Sequence, residues 1–203
     1  METLHVDGYT IIRSFATPVR DYFVSLAEQA TPIFNDNQSE HRNDNLRRQL
    51  TLRGPMIGAL RKRLGELFPE HTVKDWVLLQ SLPGCRQQAA HTDYVPSPAL
   101  QFASDAAVPL LFLLAVEDNT RLEVWPRSHR PRRYPILQKT VTLSAGDAVI
   151  FRGDLVHAGS AYSEQNVRIH AYIDHPSVPR DQNRTWIIYK HANEEFRRLI
   201  CES

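Results

Sequence analysis

From Trp76 onward the chain is a succession of short, β-rich runs broken by turn-forming residues, and this pattern narrows the available folds more than any other feature. The runs occupy 76–82 (WVLLQSL), 108–116 (VPLLFLLAV), 121–125, 139–143, 147–151, 155–160 and 167–173. Separators such as Glu117-Asp118-Asn119 and Ser144-Ala145-Gly146-Asp147 favour reversal of the chain. Adding the segment around 89–94 brings the strands to about eight, the number that a double-sheet jelly roll uses. A mainly β sandwich or barrel is the expected class.

The N-terminal part differs in character. Residues 4–15 (LHVDGYTIIRSF) are rich in β-formers and read as a strand pair or one bent strand. Pro18 suits a first helical turn, and 19–30 then puts Phe23, Leu26 and Ala27 on one helical face. Residues 35–49 are polar and read as a long loop. Helical spacing returns over 54–68 through Met56, Ile57, Leu60, Leu64 and Leu67, and Pro69 ends it. These helices are expected to pack on the outer face of one sheet. The end of the chain, 184–200, reads as a strand (TWIIY) and a short amphipathic helix. No repeat, low-complexity tract or linker divides the 203 residues, so one domain over 1–203 is expected: strand and helices in 1–75, a jelly-roll core in 76–175 and an extension in 176–203.

Composition is that of a globular protein, with 42% hydrophobic and 23% charged residues. The formal net charge of +1 argues against a general nucleic-acid or membrane-surface binder. No apolar stretch is long enough to span a bilayer, and the opening METLHVDGYT lacks the pattern of a secretory signal. Cys85 and Cys201 lie far apart and read as free thiols in a reducing compartment, so a cytoplasmic location is expected.

The chemistry-bearing residues begin with His91-Thr92-Asp93. In extended backbone, residues two apart point to the same side, so this imidazole and carboxylate can converge on one ion. A third ligand from a distant strand would complete a facial triad of two His and one carboxylate, which leaves adjacent positions open as an iron(II) oxygenase needs. His157, delivered by the turn and strand that start at Gly146-Asp147, is the natural third. The pair alone is weak: nine His and twelve Asp in this chain yield about 0.5 such pairs by chance. A second copy, His5-Val6-Asp7, stands before any strand that could organise it.

Arg168 adds independent weight. In 167–173 (VRIHAYI), Val167, Ile169, Ala171 and Ile173 alternate with Arg168, His170 and Tyr172. The polar row could simply face solvent. If this strand instead pairs with the preceding one as a hairpin, Arg168 stands beside His157. A guanidinium near a metal needs an anion between them, and a dicarboxylate satisfies both, chelating the metal at one end and pairing with Arg168 at the other.

With these residues in place, the chain resembles the phytanoyl-CoA dioxygenase-like branch of the iron(II)/2-oxoglutarate oxygenase superfamily. The resemblance runs over 76–175, about half of the chain, with Asp7-Gly8-Tyr9 similar to the family's entry strand. It rests on His91-Thr92-Asp93, then Leu122-Glu123-Val124-Trp125-Pro126-Arg127-Ser128-His129, then Gly146-Asp147, His157 and Arg168, in the family's order. Arg127 stands where a Gly is usual. Gly159 stands where some members carry a Ser that helps hold the co-substrate, with Ser160 adjacent. The resemblance implies a double-stranded β-helix, with His91, Asp93 and His157 holding Fe(II), and Arg168 gripping 2-oxoglutarate. It also implies O₂-dependent hydroxylation of a substrate C–H with release of succinate and CO₂. Gln80 would be a further co-substrate contact or else a satisfied core amide, and Trp125 a pocket wall or core aromatic.

Residues 94–107 read as a loop over the site mouth and 35–49 as a second lid. Between Arg42 and Arg63 lie six Arg and one Lys against a single Asp. A solvated loop and helix face accounts for them; the sharper expectation is a surface for an anionic substrate, with Arg47 and Arg48 as contacts. A small molecule is the favoured substrate. Nucleic acid, or jelly-roll metal chemistry without 2-oxoglutarate, is the alternative.

Overall fold

The computed structural model describes residues 2–17, 20–33, 45–95, 100, 107–130, 137–180 and 186–188. Two antiparallel sheets face each other, as the strand-rich pattern requires, and three helices flank one of them. The larger sheet carries β1 (Tyr9–Ile12), β9 (Ala148–Arg152), β6 (Leu110–Ala115), β11 (Asn166–Asp174), β4 (Thr72–Ser81), β3 (Arg47–Thr51) and β2 (Thr31–Pro32), in that order. The smaller is ordered β12 (Trp186–Ile187), β5 (His91–Thr92), β10 (His157–Gly159), β7 (Thr120–Val124) and β8 (Lys139–Leu143). The fold is a mainly β jelly roll, a double-stranded β-helix.

The central strands of the large sheet are buried on both faces, and their alternation feeds two separate cores. Leu110, Phe112 and Leu114 of β6, with Val167, Ile169, Ala171 and Ile173 of β11, point outward to the helices. There α2 (Arg20–Ala27) contributes Phe23 and Ala27, and α3 (Pro55–Leu67) contributes Ile57 and Leu64. Pro55 opens α3 at a position where its missing N–H costs nothing, and Phe68 closes it by donating its N–H to Leu64. The opposite faces, Leu111, Leu113 and Ala115, meet Leu122, Val124, Val141 and Leu143 from the small sheet. Each fully buried large side chain contributes about 1.5–3 kcal/mol, so both layers are needed to hold the sheets at a fixed separation.

Three expectations are corrected. Residues Glu2–Asp7 form a helix, α1, before β1, because Leu4 docks into the outer core and Gly8, at φ 86°, breaks the chain between helix and strand. Arg47–Thr51 is a strand rather than loop, since it adds to the open edge of β4 with Leu50 opposite Leu78. The strands bearing His157 and Arg168 do not form a hairpin: β10 pairs with β5 and β7, and β11 with β4 and β6. The chain crosses between sheets there, and Arg168 faces the small sheet across the sandwich. Of the last stretch only Trp186–Ile187 is a described strand; the expected helix, like residues 35–44, 96–99 and 101–106 of the expected lids, lies outside the described residues.

Tight backbone packing ties the turn after β5 to the turn after β9. The Gly153 carbonyl accepts the N–H groups of both Asp93 and Tyr94, at 3.2 and 3.1 Å. A Cβ on Gly153 would stand 2.1 Å from Cδ2 of the buried Tyr94 ring. Gly153→Ala should therefore cost about 1–3 kcal/mol, read as a lower urea midpoint. It should also displace Asp93; an unchanged midpoint would mean that the ring has room to move.

Candidate metal centre

His91 and His157 are direct cross-strand partners on the antiparallel pair β5 and β10, so their side chains leave the same face of the small sheet. Their ring centroids are 4.4 Å apart, and Phe151 packs on the His157 ring at 4.9 Å. Asp93 follows β5 by one residue and is aimed back at them by the hydrogen bonds to Gly153. Its Oδ1 lies 3.8 Å from His91 Nε2 and 3.9 Å from His157 Nε2. One ligand-type atom from each of the three lies within 4.8 Å of the others, and all three residues are buried.

The donor set fits a divalent cation. His91 Nδ1 is 2.8 Å from the Ala89 carbonyl and His157 Nδ1 2.9 Å from that of Leu155. Each Nδ1–H donates to a carbonyl, which leaves the lone pair of Nε2 facing Asp93. Burial and the neighbouring His157 press His91 down to about 4 from 6.5, and burial lowers His157 as well, so both rings are neutral at ordinary pH. Burial alone would raise Asp93, but the His157 and His91 rings and the Tyr172 hydroxyl outweigh it and hold the carboxyl low and ionised. Two neutral imidazoles and a carboxylate are the ligands that a borderline divalent transition metal takes.

The inward row of β11 borders this centre. Arg168 is 5% exposed; one guanidinium nitrogen donates to Ser81 Oγ at 3.0 Å, and Tyr162 lies under its carbon at 5.5 Å. Among the described residues no carboxylate pairs with it. His170 stands between the two ends: burial holds it at about 4, and it responds to the charges of both Asp93 and Arg168. Tyr172 completes the row beside Asp93.

Two further expectations do not match this geometry. On β4, Leu79 is the partner of Arg168 and Gln80 that of Val167, so Gln80 points to the helix-covered face and donates to Gln165 at 3.2 Å. Strand alternation puts Ser81 into the site instead. The Ser160 hydroxyl donates to Glu123 at 2.7 Å, alongside Thr140 and Gln138, on the face of the small sheet opposite His157. Arg47 and Arg48 also separate. Arg48 shares the Gln80 face, whereas Arg47, 1% exposed, spans the sandwich to the carbonyls of Arg86, Gly159 and Ser160 and donates to Ser81 Oγ at 3.3 Å. It is an internal brace between β3 and β10 and no part of a surface for substrate. Arg63 is likewise occupied, donating to the Phe15 carbonyl and lying over its ring. Asp7 of the second His-x-Asp pair is bound by Arg127. A polar stretch without periodicity carries no signal for Arg47 as an internal brace, and Ser81 lies one register step from Gln80.

No family model matches the chain. A relative described as the dioxygenase trt7 of Aspergillus terreus is 26% identical over 197 residues, covering 82% of this chain and 68% of that protein. Among solved structures, the epimerase SnoN in complex with Fe³⁺, alpha-ketoglutarate and nogalamycin RO aligns with a TM-score of 0.62 at 17% identity, over 85% of this chain and 81% of that one. HygX of Streptomyces hygroscopicus, with nickel and 2-oxoglutarate bound, aligns with a TM-score of 0.62 at 12% identity, over 84% of each. At these identities the solved structures share the fold.

The buried imidazoles make stability depend on pH in the metal-free protein. His91 keeps a pKa of about 4 when folded against 6.5 when unfolded, so only the unfolded chain takes up a proton in that window. Its contribution is fully present above 6.5 and is lost as pH falls toward 4; His170 acts in the same direction. The urea midpoint of metal-free protein should drop between about pH 7 and about pH 5. A flat profile would mean that these rings are not held neutral by burial.

Proposed function

We propose that the chain is a non-haem iron(II)- and 2-oxoglutarate-dependent dioxygenase that hydroxylates a C–H bond of a small molecule. The observation that carries this reading is the pairing of two features across one interior: a converging His91, Asp93, His157 set, and a buried Arg168 that meets no carboxylate among the described residues. An isolated charge in that position is costly unless an anion joins it. A ligand with one carboxylate for Arg168 and a chelating end for a metal removes the penalty at both sites at once.

In this reading His91 and His157 would hold Fe(II) through Nε2 and Asp93 would hold it through its carboxylate. When bound, iron, 2-oxoglutarate and O₂ together supply the oxidising power, releasing succinate and CO₂. The chain's own residues do the rest. Arg168 fixes the far carboxylate and is itself aimed by Ser81; Arg47 holds Ser81 and the end of β10 together. Neutral His170 lines the space between without adding a competing cation. Leu111, Leu113, Val124 and Phe151 form the apolar floor behind the ligands and keep bulk water from that side.

The order of motifs supports placement in the phytanoyl-CoA dioxygenase-like branch. The 26%-identical relative is named a dioxygenase, and the SnoN structure is a complex with Fe³⁺, alpha-ketoglutarate and nogalamycin RO, which supports a small-molecule substrate. No helix among the described residues is long and apolar enough to cross a membrane. Cys85 is a free, buried thiol, which supports an intracellular setting.

Anaerobic addition of Fe(II) and 2-oxoglutarate should produce a weak metal-to-ligand charge-transfer band, and admission of O₂ should yield succinate. Asp93→Ala should abolish both. Arg168→Ala should raise the 2-oxoglutarate requirement on the order of 30-fold, equivalent to the ~2 kcal/mol lower bound for removing one partner of a buried charge pair. Absence of both band and succinate in the unaltered protein would overturn the proposal.

A further inference from the structure

We infer that Tyr172, Arg180 and Asp75 form a positioning relay that holds the Asp93 carboxylate in place for the metal, and that a β-bulge in β4 exists to seat it. The inference rests on the metal-centre reading above and extends it to residues outside the ligand set.

The bulge is visible in the register. Against β6, strand β11 pairs without interruption from Arg168 to Ile173. Against β4 it slips: His170 faces Val77, but Tyr172 faces Lys74, so Ala171 stands opposite both Asp75 and Trp76. The surplus residue therefore belongs to β4. Asp75 has φ 50°, a left-handed backbone that costs a non-glycine residue about 1–2 kcal/mol. Bulges of this kind re-aim side chains, often beside active sites.

What the bulge aims is the Asp75 carboxylate. It accepts from one terminal nitrogen of Arg180, while Arg180 Nε donates to Asp174 Oδ1 at 3.2 Å. Gripped at both sides, the Arg180 side chain is only 4% exposed, and its guanidinium lies 3.6 Å from the centre of the Tyr172 ring. His170 meets the same ring edge-on at 4.9 Å. The ring is thus held by a cation and an imidazole on the inward row of β11, from which its hydroxyl helps to keep the Asp93 carboxyl low. A second strut runs in parallel: the Tyr94 hydroxyl donates to Asp174 Oδ1 at 2.5 Å, tying the residue after Asp93 to the same cluster.

A carboxylate with one oxygen on a metal can rotate and bring up the other, taking a position that the reaction needs open. A fixed donor on Asp93 opposes that rotation, as partners of ligating carboxylates do elsewhere. Tyr172 is the positioning residue, and Arg180 with Asp75 acts through it. The simpler account is that Arg180 merely anchors the segment after β11, and the two make different predictions.

The test is titration of metal-free protein with Co(II) alone, read from the visible bands and by chelator competition, beside urea melts without metal. Tyr172→Phe should weaken Co(II) binding about tenfold, alter the band shape and leave the metal-free midpoint near its original value. Arg180→Ala and Asp75→Asn should shift affinity in the same direction by less; Asn tolerates the left-handed backbone, so that variant keeps the bulge and loses only the ion pair. Tyr172→Phe combined with Arg180→Ala should bind no more weakly than Tyr172→Phe alone. Lowered midpoints with unaltered Co(II) affinity and bands, or fully additive losses in the double variant, would overturn the relay and leave an anchor. Failure of the unaltered protein to bind Co(II) would overturn the metal centre itself and the relay with it.

Discussion

Because a strand sends successive side chains to opposite faces, β11 can belong to an apolar core and to a polar site at the same time. Val167, Ile169, Ala171 and Ile173 press into the helix-covered core and hold the strand rigidly, while Arg168, His170 and Tyr172 are carried on the other face as a fixed row. The apolar face makes the polar one possible. Burying Arg168 costs free energy, and that cost is tolerated only on a strand already secured by burial on its other side and by pairing with β4 and β6.

The same constraint explains why the site lies between sheets. His91, Asp93 and His157 come from the small sheet and the turn after β5, and the row from the large sheet, so the distance between that set and the guanidinium is fixed by sheet separation, which Leu111, Leu113, Leu122 and Val124 maintain. Arg47 reinforces that separation with polar bonds, running from β3 to carbonyls at the end of β10. A packed interior gives little under load, so the distance is well defined.

Much of this was legible residue by residue. The core strand spans, both major helices, the His91 and Asp93 pair and the polar row of β11 follow from local spacing, because period-2 alternation and helical repeats are properties of a few consecutive residues, whereas His157 joined the pair only through the order of strands. Three of the differences share one origin: Gln80 as a co-substrate contact, Ser160 beside the co-substrate, and the conditional pairing of β10 with β11. Each depends on which strand lies beside which, and in what register, and a single-residue slip reverses the face.

The sequence alone therefore determined which side chains alternate with which, and so which chemistry each strand could present. Only the tertiary structure decided that β10 and β11 face each other across a sandwich instead of pairing. It also decided that Arg47 is an internal brace and that a bulge at Asp75 brings Arg180 over Tyr172. The physical reason is that alternation is a local property of extended backbone, whereas partner choice, bulges and buried charge contacts are settled by the burial of surfaces distant in the chain.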